Sequence, residues 1–224
     1  MSTAIMTERI AEVSPCLKAR VAGVLYLICG IAFSFADGSV RGKLVVLGDA
    51  TATAHNILAY AALFRLGFAT ELISAVCYIT VTLIGCAIQA LSTLFHLAPL
   101  VILGGEPYLS VFKVEQLQAL ALMFLKLRVQ ITSIYMVFFG CYCLLIGYLI
   151  FRSTFMPRIL GVFMAIAGLS YQLFLSPPLA NYLFPYIVKP AGALGELSLI
   201  LWLLVMGVNN QRWKEQACAA GMHA

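Results

Sequence analysis

The chain has 224 residues, 62% of them hydrophobic and 10% charged, with a mean hydropathy of +0.99. A soluble domain carries about 25% charged residues, so no single water-soluble core could hide this much apolar surface, and lipid must be part of the solvent. The net charge of +5 comes from Lys and Arg that never gather into a run, which argues against a nucleic-acid partner.

Residues 1–20 hold Glu8, Arg9, Glu12, Lys18 and Arg20, and the apolar run behind them lacks a small-x-small cleavage pattern. The expected start is therefore a short cytoplasmic segment, 1–20, followed by an uncleaved first span, 21–40. Next comes VRGKLVVLGDATATAHNI, residues 40–57, polar in an apolar neighbourhood. Gly48 supplies a turn and Asp49 an N-cap for an alanine-rich helix, read as an interfacial helix leading into the second span. A second reading has Arg41 and Lys43 join the free amides of that helix to hold a phosphate headgroup or a carboxylate. Asp49 competes for those amides, which favours architecture over binding.

Residues 66–103 form an apolar stretch interrupted only by Glu71, Gln89 and His96. One helix of that length would measure about 57 Å, nearly twice the hydrocarbon thickness. Two spans, 66–83 and 84–103, reversing near Leu83–Ala87, are expected instead. Further spans follow at 131–151, 159–176 and 191–208, then a cytoplasmic tail, 209–224. The last two spans are separated by LSPPLANYLFPYIVKP, whose four prolines are expected to forbid a continuous helix.

Positive charge fixes the expected orientation. Arg9, Lys18 and Arg20 precede the first span, Arg152 and Arg158 separate the fourth and fifth, and Arg212 and Lys214 follow the last. Six crossings put all three groups in the cytoplasm; five would export two of them. The expected fold is thus all-α, a helical bundle integral to the membrane, with six transmembrane helices and both termini cytoplasmic.

Ionisable side chains inside spans are functional candidates by default. Glu71 shares a helical face with Ser74, Tyr78 and Thr82; Gln89, Ser92, Thr93 and His96 form a similar stripe on the third span. Glu196 lies on the sixth span near Gly192 and Gly195, which permit close helix approach. With the amino terminus inside, Glu71, His96 and Glu196 come out about 7–11 Å below the outer surface, and Tyr135 and Gln172 about 6 Å. One polar layer built by five spans is the expectation. The bland alternative is interhelical hydrogen-bond glue. The cysteines are read as small core residues, since Cys141 and Cys143 diverge by about 200° on a helix. No metal site, no cofactor and no soluble-enzyme signature is read from the sequence.

Several segments together carry a family resemblance: RGKLVVLGDATATAHNI, LFRLG, LQALALMFLKL, VFFGCYCLLIGYLIFRSTFMPRILGV and GELSLILWLLVMGVN. Over residues 18–213 they resemble a bacterial membrane-protein family catalogued as domain of unknown function 4386. The resemblance implies a polytopic protein of the bacterial cytoplasmic membrane and brings no activity with it. The family pattern has a polar loop between the second and third spans, where this chain runs straight through as YITVTLIGCAIQ. It also has histidines where Arg128 and Tyr142 stand here, so no role transfers to those positions.

Three functions fit these residues. The first is binding or transport of a small or lipophilic molecule in an outward-opening polar pocket lined by Glu71, His96, Tyr135, Gln172 and Glu196. The second is an intramembrane enzyme in which Glu71 and Glu196 do acid–base work on a lipid or isoprenoid-like substrate, with His96 assisting. The third is a structural or sensory membrane partner that uses small-residue faces such as Gly161/Ala165/Gly168.

Overall fold

A computed structural model describes residues 14–46, 48–78 and 83–219. Among the described residues the chain is helical throughout, with no strand. Helix α1 runs Pro15–Leu44 and contains a π-helical segment, Phe35–Arg41. Then follow α2 (Ala50–Ala59), α3 (Ala61–Tyr78), α4 (Leu83–Ile102) and α5 (Val114–Arg152). The remainder is α6 (Arg158–Tyr171), a 3₁₀ turn (Gln172–Leu175), α7 (Pro177–Leu183), a π segment (Phe184–Val188), α8 (Lys189–Val205) and α9 (Asn210–Ala219).

Among the described residues, four helical runs are long and apolar enough to cross a membrane: Pro15–Leu44, Val114–Arg152, Arg158–Leu175 and Pro177–Val205. The pair α2 and α3, bent by 88°, raises the number to five if it counts as one span. The bend falls at Tyr60, whose φ of −117° and ψ of 38° leave the helical region. α4 is apolar over Ala87–Ile102 as well.

Several boundaries differ from those read in the sequence. α1 continues through Arg41 and Lys43 to Leu44, so these residues end a helix and do not lie in a loop. Leu83–Ala87 belongs to α4, and residues 79–82, between α3 and α4, lie outside the described residues. α5 begins at Val114, where a span was expected only from 131. Lys126, Arg128 and Gln130, ahead of the expected span, lie in this helix, with Lys126 and Gln130 on its exposed face.

The four prolines of 175–190 do not interrupt the helical run Pro177–Val205. Pro177 opens α7 with Pro178 behind it, and Pro190 follows the start of α8. In a first turn the missing N–H has no intrahelical partner to lose. Pro185 lies in the π segment, where the regular ladder of hydrogen bonds is already displaced.

The described chain divides into two compact units. Residues 27–142 and 171–183 form one of them. Here α3 packs along α4 and against the π segment of α1, with Gly67 so close to Val40 that a Cβ would sit 2.9 Å from its side chain. Val40, Leu44, Ile57, Phe64 and Leu125 make its apolar core. Asp49 caps α2, its Oδ1 accepting from the Ala52 amide at 2.8 Å. The Thr53 hydroxyl accepts from the Val46 amide at 3.0 Å and donates to the Asp49 carbonyl at 2.8 Å, which pins the connection to the helix.

The other unit comprises residues up to 26, 143–170 and 184 onward. Glycines set its packing. A Cβ on Gly161 would sit 2.5 Å from the Gly147 carbonyl, and one on Gly195 2.7 Å from the Ala167 Cβ. The Gly161/Ala165 face, considered above as a surface for a partner, is therefore covered by α5 of the same chain.

Candidate functional site

The first unit buries a chain of charged side chains contributed by four elements. Glu71, ten residues into α3, is 0% exposed. Its Oε2 meets His96 Nδ1 of α4 at 3.0 Å. Its Oε1 is paired with Nη2 of Arg128 on α5. Arg128 is 2% exposed, and its Nη1 lies 3.8 Å from Oδ1 of Asp37 in the π segment of α1. That same carboxylate oxygen accepts from Arg41 Nη1 at 2.6 Å. The Asp37 and Arg41 side chains remain 35% and 30% exposed, so the chain leads from a wetted end to a dry one.

Local sequence explains why these groups meet. In α4, Gln89, Ser92, Thr93 and His96 recur at helical spacing and are all buried, at 1%, 0%, 2% and 1%. In α5, Ala121, Leu125, Arg128, Thr132 and Tyr135 form the facing stripe, and Ser92 bridges to Thr132 across the two helices at 3.3 Å. His96 also packs on Phe64, with ring centroids 4.4 Å apart. Buried charges are stable only when paired and hydrogen-bonded, and here two carboxylates face two guanidinium groups.

Glu71 and His96, singled out in the sequence, are thus in direct contact. Tyr135 and Gln172 belong to the same unit, with contacts further along α5. Tyr135 is buried and stacked on Phe139, seven residues beyond Arg128 and so about 10 Å along α5. Gln172 donates to the Val137 carbonyl at 3.3 Å, nine residues beyond Arg128 and about 14 Å along the same helix. The shared shallow layer expected for them depended on a span that began at 131; α5 starts much earlier. Glu196 is half-buried on α8 of the other unit.

Arg41 does not join the amides of α2, because Asp37 holds it, and Asp49 occupies the end of that helix. Lys43 is exposed. The principal residues missed by sequence reading are Arg128 and Asp37. The signal for Arg128 was its place in the apolar 3.6-residue stripe; the signal for Asp37 was a lone acid at a span's end. Among the described residues, no group of three or more His, Cys, Asp or Glu side chains could hold a metal ion.

The family model described as a domain of unknown function (DUF4386) matches residues 21–84 and 75–207. Its two matched segments overlap at 75–84. No curated protein and no solved structure matches this chain.

Proposed function

The chain belongs to the family described as domain of unknown function 4386, and on that premise we propose a multi-pass protein of the bacterial cytoplasmic membrane that binds or transports a small or lipophilic molecule. It crosses the bilayer six times with both termini in the cytoplasm, an orientation supported by its three groups of basic residues. In that orientation Asp37 lies near the outer end of α1, and the charged chain opens outward at Asp37 and Arg41.

The observation that carries this reading is the Glu71–His96–Arg128 cluster, three ionisable side chains at most 2% exposed in the middle of apolar helices. Ionisable residues within membrane spans are functional candidates by default, since they mark substrate and ion pathways. Arg128 is the group a ligand would engage, because it reaches from Glu71 toward the part-exposed Asp37. The paired-glutamate enzyme is less favoured. To serve as its acid or base, Glu71 would have to give up its pairing with His96 and Arg128.

The test is mass spectrometry of molecules retained by the full-length protein after mild extraction, comparing wild type with Arg128→Lys. A molecule enriched over bulk lipid at about one per chain and lost from the variant is the expected result. Equal, bulk-like lipid content in both would reduce the cluster to helix glue. Chemical conversion of the retained molecule by wild type would favour the enzyme.

A further inference from the structure

We infer that Glu71 and His96 form a reversible proton-binding site, with Arg128 as a counter-ion shared between Glu71 and Asp37. This goes beyond small-molecule binding and is read out with no ligand present, so either idea can fail without the other.

One guanidinium faces two carboxylates at unequal range. It is paired directly with Glu71, but stands 3.8 Å from Asp37, beyond a good hydrogen bond. Asp37 has a second cation, Arg41, at 2.6 Å. Among the described residues, His96 from α4 and Arg128 from α5 pair with Glu71, and Asp37 and Arg41 of α1 join the cluster through Arg128. With His96 neutral, the two acids and two arginines sum to zero. Of the basic side chains paired with Glu71, arginine does not release its proton in proteins, so the imidazole is the one that can take a proton up and give it back.

A proton taken from water onto His96 makes an imidazolium already placed on Glu71 at 3.0 Å. Glu71 then has two cations for one charge. Arg128 is surplus there, and Asp37 is the carboxylate within reach of it. Release of the proton to water reverses the hand-over, and no heavy-atom bond changes. The π segment carrying Asp37 suits such a step, since π turns inside α-helices are frequent at functional sites.

A second observation points to water at the cluster. Arg128 Nε and Gln89 Oε1 have no hydrogen-bond partner, although their residues are 2% and 1% exposed. Gln89 lies two turns from His96 on the same face of α4, with Ser92 and Thr93 between them. Buried polar atoms of this kind are satisfied by ordered water in folded proteins. Water bound at these atoms would also deliver and remove the proton.

The experiment uses the full-length chain in lipid nanodiscs. The sequence has three histidines, His55, His96 and His223; His55→Gln with His223→Gln leaves His96 as the sole imidazole without disturbing the cluster. Infrared difference spectra are recorded on acidification from about pH 8 to about pH 4, spanning the histidine range. The expected result is reversible protonation of one imidazole, with a guanidinium band change that disappears in Asp37→Asn while the imidazole signal remains. An imidazole that keeps one protonation state throughout would overturn the proton site. A guanidinium change identical in Asp37→Asn would overturn the hand-over.

Discussion

Removing Arg128 tests the buried cluster most severely. Arg128→Met keeps the length and apolar stem of the side chain and deletes its charge. Glu71 would then lie 0% exposed with His96 as its one close partner. Breaking a buried ion pair from one side costs about 3–5 kcal/mol, because the remaining charge stays desolvated. Neither partner is solvent-screened, so no discount for exposure applies. For a chain of this size, about 2–4 °C of melting temperature is lost per kcal/mol, which gives a drop of roughly 6–20 °C. The assay is thermal unfolding of the full-length protein in mild detergent, followed by circular dichroism. Glu71→Gln should also destabilise despite its near-identical shape. The double variant should cost less than the sum of the two, since it leaves no lone buried charge between those positions. Melting of Arg128→Met within a degree or so of wild type would refute the burial argument.

Other expected outcomes follow from different parts of the molecule. Asp49→Ala should lose about 1 kcal/mol through its missing cap, whereas Asp49→Asn, which still accepts from Ala52, should lose only a few tenths; equal losses in thermal unfolding would mean that the charge itself matters. Gly161→Ala puts a Cβ where the Gly147 carbonyl is 2.5 Å away, and should cost about 1–3 kcal/mol by forcing α5 and α6 apart. An unchanged melting temperature would show that the two helices yield freely. Reporter fusions at residues 155 and 218 should both read cytoplasmic, and one reading outside would remove the six-span topology.

The helical class was legible because apolar runs of membrane length leave few other folds. Asp49 was legible as a cap for the same local reason: an acid followed by alanines needs only its own neighbours. Gln89, Ser92, Thr93 and His96 could be seen as one face, because helical spacing alone decides it. The partner of that face could not. Glu71 meets His96 across two helices, a long-range fact that periodicity does not contain, and Arg128 was hidden by its surroundings. LKLRVQ has two basic residues in six, which reads as a boundary until the 39-residue length of α5 is known. Pro185 misled in the opposite sense. A proline normally ends a helix by removing a ladder bond, and a π segment removes the need for that bond.

The most direct test of an outward-opening site is an experimental density map of the full-length protein in lipid nanodiscs, without added ligand, at a resolution that shows side chains. The account predicts non-protein density against Arg128 on the side facing Asp37 and Arg41, continuous with the outer surface. A cluster sealed from that surface by packed helices, with Asp37 closing directly on Arg128 and no density beside it, would contradict it.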